Sequence, residues 1–380
     1  MRCRSIALAL ALGCVGLVGC NEDRVVVRLC DDGFLDPDQV CLEGTPRTYP
    51  IAVEPVALRS ADFDDDGLDD VLIAGLDVDG VAGELRLSDG ATLGERSDAQ
   101  IYGCSAHPVT GDVDGDPHID LLLATCEPEL LLFHGTAAGG FTRPELVAIP
   151  STPKIAALVD LEGDGDDDLC VLGDDDTLYV LQAEAPGVYT SGPATQLSGL
   201  HPLGFALIDV DRDHQADLVL LGRAGLHLGL GLGGGSFSPL LKVGGPEAPI
   251  GLSAADIDAD GSVDLLTRDG DDGDLVLLRG DGSGSFTEDG RITLGARSSG
   301  PLLTADLDGD GDLDVLVGDP EEPRITVWRR RDGDFAQPID VALTAPASQL
   351  AVGDLNGDGA LDLIAATFSE RTFTVLLANP

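Results

Sequence analysis

Three observations in the sequence predict an all-β chain folded as a seven-bladed β-propeller with four-stranded blades. First, the acidic pattern D-x-[DNE]-x-D-x-x-x-D occurs seven times, opening at Asp62, Asp112, Asp160, Asp209, Asp256, Asp306 and Asp354, at intervals of 47–50 residues. Second, each copy runs into an aliphatic stretch: "VLIAG", "LLLAT", "LCVLG", "LVLLG", "LLTRD", "VLVGD" and "LIAAT". Third, an aromatic residue after a turn stands about twenty residues before most copies, as in "GGFTRP", "GVYTSG" and "GSFSPL".

Within one repeat, the stretch before the acidic loop ("KIAALV", "GFALI" or "GLSAA") and the run after it are short, apolar and bounded by turn residues. Both read as strands buried on two faces. A second hairpin follows, and its last strand opens near the aromatic. Four strands in about 48 residues form one blade, and repetition of such a unit closes a ring. Small residues (Ala61, Gly111, Ala255, Ala305, Gly353) stand just before the loops.

The ends of the chain fit a ring. The seventh copy runs out at "RTFTVLLANP", with room for three strands, while "RTYPIAVE" near the start resembles the missing outer strand, with Tyr49 in the aromatic place. An N-terminal strand closing the last blade would leave no open edge. The predicted propeller thus spans residues 49–380.

The first nineteen residues read as a secretory signal: Arg2 and Arg4, then an apolar stretch from Ile6 to Val18 that is short for a membrane span. The signal ends in "LVGC", which resembles the lipobox of bacterial lipoproteins and implies lipidation at Cys20. The mature chain would then be held at a bacterial cell envelope, periplasmic or at the cell surface, through its lipid only. It would meet an oxidising compartment.

Cysteine usage agrees with that compartment. Cys30 and Cys41 bracket the turn-rich segment "CDDGFLDPDQVC" of a linker over residues 20–48, where a disulfide would staple a stretch with no core. Cys104 and Cys126 flank an acidic loop and are expected to face each other across a hairpin. Cys170 lies in an apolar run and reads as a buried, inert thiol.

The chain carries 22 basic and 68 acidic side chains, a net charge of −46. Such a surface repels phosphate backbones, so nucleic acid is excluded as a partner. With 43% hydrophobic residues the chain is no disordered acidic tail. Acid in clusters on an aliphatic β scaffold points to cation sites.

Oxygen donors at positions one, three, five and nine of each loop suit a hard divalent cation, and calcium accepts six to eight oxygens in flexible geometry. The candidate ligands are Asp62, Asp64, Asp66 and Asp70; Asp112, Asp114, Asp116 and Asp120; Asp160, Glu162, Asp164 and Asp168. The pattern continues through Asp209, Asp211, Asp213 and Asp217, then Asp256, Asp258, Asp260 and Asp264. Asp306, Asp308, Asp310 and Asp314, and Asp354, Asn356, Asp358 and Asp362, complete it. An EF-hand is excluded, because its twelfth position needs Glu where this chain has Ile73 and Val317. Position six favours Gly for a positive φ. Pro117 and His214 depart from that, so the second and fourth loops are expected to be weak, and Glu162 makes the third intermediate.

These loops, "DLDGDGDLDVLVG" and "DLNGDGALDLIAAT" above all, together with the Gly-x-Phe turns, resemble the FG-GAP, or integrin-α-like, propeller repeats of extracellular proteins. The resemblance covers roughly residues 50 to 380. It implies that each acidic loop joins the first two strands of a blade and holds structural calcium at one end of the ring.

Several other motifs carry no function here. "RGD" at Arg279–Asp281 falls at a hairpin of a Gly/Asp-rich chain, and "GLGLGG" from Gly229 leads into a strand instead of a phosphate-capping helix. No G-x-S-x-G elbow appears. The expectation is a non-catalytic module that binds a protein or a glycan, with protein ranked first because the chain has one Trp. The alternatives are a carbohydrate-active, polysaccharide-lyase-like enzyme and a structural part of an envelope assembly.

Overall fold

The computed structural model describes residues 25–26, 46–77, 80–90, 92–94, 97–99, 108–116, 118–161, 167–185, 187–294, 300–331 and 334–378. They form a ring of seven antiparallel four-stranded blades, as predicted. Blade 1 consists of Glu54–Ala61, Asp70–Asp77, Gly80–Arg86 and Ser97–Ala99. Blade 5 consists of Pro249–Ala255, Asp264–Asp269, Leu275–Gly280 and Phe286–Ile292, and blade 6 opens with Leu302–Ala305 and Asp314–Gly318. In every blade the second strand begins with the ninth residue of the acidic pattern: Asp70, Asp120, Asp168, Asp217, Asp264, Asp314 or Asp362.

The reason these runs form strands is visible in their burial. Five consecutive residues such as Asp120–Ala124 or Asp314–Gly318 are all buried, because a second strand has a neighbouring strand on each side and a blade on each face. There is no single core. Seven apolar clusters each draw residues from two adjacent blades, one for every junction of the ring. Aliphatic side chains are therefore needed on both faces of each second strand, which is why the runs lack polar alternation.

The closure is as the sequence predicts. Arg47–Pro50 pairs antiparallel with Thr372–Leu376 as the fourth strand of blade 7, with Tyr49 opposite Phe373. A further short strand, Val25–Val26, pairs parallel with Ile339–Asp340 of blade 6. It falls in the stretch read as a linker, and two residues are too few to register as a pattern.

The first strands of neighbouring blades approach one another around the axis, and this explains the small residues before the loops. A Cβ added at Gly353 would lie 2.1 Å from Ser60 Oγ on blade 1, and one at Gly111 would lie 2.9 Å from Leu158 Cδ1 on blade 3.

Candidate functional site: seven acidic hairpin loops

Each acidic loop joins the first and second strands of its blade, so all seven lie at the same end of the ring. The backbone is folded by its own carboxylates. Asp306 Oδ1 accepts the N–H groups of Gly309 (2.8 Å) and Asp310 (3.1 Å), and its Oδ2 accepts that of Gly311 (2.9 Å). Asp354 does the same for Gly357, Asp358 and Gly359 at 2.7, 3.2 and 2.9 Å. Position five then takes the N–H of position seven, as Asp66 does for Leu68 and Asp358 for Ala360, both at 2.9 Å.

That wrapping takes the left-handed region twice in each of the loops opening at Asp62, Asp209, Asp256, Asp306 and Asp354. Position six has φ of +87° at Gly67, +85° at Gly261 and +94° at Gly311, and position four has +72° at Gly309. His214 takes φ +68° at position six, and its N–H still reaches Asp209 Oδ2 at 2.9 Å, so the fourth loop folds like its sisters. Asp65, Arg212 and Ala259 adopt positive φ at position four, a strain the sequence pattern did not reveal. Pro117, Glu162 and Asp164 lie outside the described residues.

The structure divides the predicted ligands into two kinds. Positions one, three and five come together: in the loops opening at Asp62, Asp112, Asp209 and Asp256, one oxygen from each lies within 4.8 Å of the others. Asp64, Asp114 and Asp308, all at position three, each carry a buried Oδ1 that makes no hydrogen bond. A buried carboxylate oxygen without a donor is costly, and a divalent cation supplies what it lacks. The donor set fits calcium: positions one, three and five would hold the ion, whose charge would offset the repulsion among them.

Position nine has a second role, although Asp120 also comes within 4.8 Å of ligand atoms of Asp114 and His134. Asp70 is fully buried; its Oδ2 accepts the N–H of Phe63 at 2.9 Å and its Oδ1 that of Ser88 at 2.7 Å. The same double staple recurs as Asp120 with Val113 and Gly135, Asp217 with Val210 and Gly231, Asp314 with Leu307 and Arg330, and Asp362 with Leu355 and Ala378. Asp168 staples Leu161 to Ala183. One carboxylate thus ties the loop to the end of the third strand. Burial pushes the carboxyls of Asp70, Asp314 and Asp362 up to about 7 and that of Asp264 up to about 6, against the pull of the N–H donors. Neighbouring loop aspartates, Asp64 and Asp66 for Asp70, push the same way.

Sequence reasoning missed a set of basic partners. The residue just before the staple donor faces position three of the loop. His134 Nδ1 lies 2.9 Å from Asp114 Oδ2, Arg329 Nη1 lies 3.3 Å from Asp308 Oδ2, and Arg279 pairs with Asp258. The equivalent places in blades 1, 4 and 7 hold Leu87, Leu230 and Leu377. The signal was present as a register: each base stands fourteen or fifteen residues after position nine. Arg279 is the first residue of the "RGD", and it also binds Asp289 at 2.8 Å while Asp281 caps the following turn through Ser283 N–H at 2.8 Å.

Of the predicted cysteine roles, Cys126 is disulfide-bonded, while Cys20, Cys30, Cys41 and Cys104 lie outside the described residues. Cys170 is free and fully buried, and burial pushes its thiol up.

Structures of similar shape include a lectin of Agrocybe aegerita that recognises non-reducing terminal N-acetylglucosamine. It is 17% identical over 77% of this chain and 81% of that one, with a TM-score of 0.60. Another is BBS1N in complex with ARL6DN, 12% identical over 87% of this chain and 95% of that one, with a TM-score of 0.62. At such identities the likeness concerns the fold alone. No curated protein matches the sequence. A family model described as FG-GAP-like repeat matches residues 112–171, 160–220, 209–267, 256–317 and 306–365. Each matched segment runs from one acidic loop into the next, and together they cover more than half of the chain, which therefore belongs to the FG-GAP-like repeat family.

Proposed function

We propose that the chain is a calcium-stiffened binding module, anchored to a bacterial envelope through lipid on Cys20, that presents the loops of a rigid ring to a protein or glycan ligand. The observation that carries this reading is the recurrence of one acidic loop geometry around the ring, with position-three oxygens left without donors. Geometry repeated from blade to blade among the described loops serves the ring as a whole, whereas catalysis needs one convergent site. Calcium bound there would rigidify the hairpins and supply positive charge to a face that is otherwise strongly anionic.

The disulfide at Cys126 supports an oxidising, extracytoplasmic location. Protein ligands rank above glycans because the single Trp, Trp328, is buried in the junction between blades 5 and 6, where it offers no platform for a sugar. The lectin of similar fold keeps glycan as the second ligand class.

The test is capture of envelope proteins and glycans on the immobilised mature chain in calcium and in chelator. Calcium-dependent recovery of one defined protein or glycan supports the module. Cleavage of an envelope polysaccharide into fragments would replace it with an enzyme.

A further inference from the structure

The acidic loops follow the C-terminal ends of the first strands. Along the same strands, between blades 5 and 6 and lined by no acidic-loop residue, lies a recess of about 410 Å³. Its walls come from the first strand of each blade, Pro249–Ala255 and Leu302–Ala305, and Arg268 from the second strand of blade 5 lines it. Leu252, Leu302 and Leu303 make it apolar, while Ser253 and Thr304 place two hydroxyls in it, hydrogen-bonded to each other at 3.0 Å.

Arg268 is unusual in this chain. It is 6% exposed, its Nη2 donates to the carbonyl of Gly300 at 2.9 Å, and its Nε is buried without an acceptor. Among the described residues no carboxylate pairs with it, although acids outnumber bases 68 to 22. The adjacent Asp269 is held by Arg291 at 2.9 Å instead. Burial alone lowers the affinity of Arg268 for its proton, and no neighbouring charge contributes. A guanidinium taken out of water with one neutral acceptor is expensive to keep, and its planar fork matches a carboxylate.

We propose that this recess binds a monocarboxylate with a short apolar body, either a free small acid or the C-terminus of a peptide, with Arg268 taking the carboxylate and the leucines the apolar part. The volume suits a ligand of that size. Arg268 is the one positive charge among the described lining residues, and in a field set by −46 it favours one negative charge on the ligand over the two or more of a phosphate. The site is separate from the calcium loops, so the proposal does not depend on them.

The probes are hexanoate, its neutral isostere hexanamide, and a tetrapeptide ending in leucine with a free or an amidated C-terminus, titrated by calorimetry into the mature protein at constant calcium. Hexanoate or the free peptide is expected to bind and its uncharged partner not to; which of the two binds identifies the source of the carboxylate. Arg268→Gln is expected to weaken binding by about tenfold or more, the scale of a lost charge-assisted hydrogen bond. Should Arg268→Gln fail to fold, a second variant keeps the test open at Ile250, which is 53% exposed and directly opposite Arg268 in the strand pair. Ile250→Glu places a carboxylate beside the guanidinium and is expected to abolish binding while raising the melting temperature, whereas Ile250→Gln does neither. Equal binding of charged and neutral probes, no binding of any probe, or full binding by folded Ile250→Glu would overturn the proposal.

Discussion

Tyr49 stacks on Phe373 with ring centroids 5.1 Å apart and planes 16° from parallel, joining residues at opposite ends of the chain. The stack sits in the apolar cluster shared by blades 7 and 1. It closes the ring, so its loss opens the circle at one junction while leaving six others intact. Phe373→Ala, at a fully buried ring, is expected to cost about 3–5 kcal/mol and Tyr49→Ala about 1–2 kcal/mol in urea unfolding. Equal stability of Tyr49→Ala and wild type would mean that the N-terminal strand does not hold the ring.

The two kinds of loop aspartate are expected to separate by calcium dependence. Asp314→Ala leaves the N–H groups of Leu307 and Arg330 without their acceptor, and is expected to destabilise the fold by about 2–4 kcal/mol with or without calcium. Asp310→Ala removes a position-five carboxylate and is expected to matter in calcium and to be neutral or stabilising in chelator, where like charges repel. Equal effects of the two variants in both conditions would erase the distinction.

Arg279 occupies the carboxylate of Asp258 as a built-in cation, and calcium binding at that loop would have to compete with it. Arg279→Met is expected to tighten calcium binding at that loop by about tenfold, since a unit charge a few ångströms away acts on a divalent ion. Calorimetry on the variant reads the change directly; unchanged affinity would show that Arg279 swings clear at no cost.

Acid sensitivity has a specific source at Asp319. Burial would raise its pKa, but the N–H groups of Glu321 and Glu322, both at 3.0 Å, and the Arg324 guanidinium outweigh burial and hold it below the usual carboxylate range. A folded pKa below the unfolded value stabilises the fold above about pH 4, and the benefit is lost as pH falls through the folded value. Wild type and Asp319→Asn should therefore differ in stability by a constant amount at neutral pH and converge as pH drops below about 4. A gap that widens in acid would reverse the sign.

Cys170, on the second strand of blade 3 opposite Ala157 and Val180, should react with a thiol reagent such as DTNB only on unfolding, because burial keeps both reagent and charge away. Rapid labelling of native protein would place it at the surface.

The ring was legible because its repeat unit is local: one acidic loop between two aliphatic runs, counted seven times, leaves little freedom in blade number. Closure by Arg47–Pro50 was legible for the complementary reason, a blade short of one strand. The division of labour within the loop was not. Asp310 and Asp314 carry the same side chain four residues apart, and only the strand turn that buries one of them makes it a staple for Arg330. Nor could Arg279, His134 and Arg329 be read as loop partners, since each approaches from a different hairpin and the contact exists only once the third strand is laid beside the second.

The most direct test of calcium-stiffened loops is a calcium titration of the chelator-stripped mature chain, followed by heat of binding and thermal unfolding. At about 1 mM calcium and an affinity near 0.1 mM, each occupied loop adds about 1.4 kcal/mol, so several loops together should raise the melting temperature substantially. Binding of more than one calcium per chain, with a rise that shrinks when Asp62, Asp306 or Asp354 is replaced by Ala, is the predicted result. A melting temperature indifferent to calcium, with no heat of binding, would contradict it.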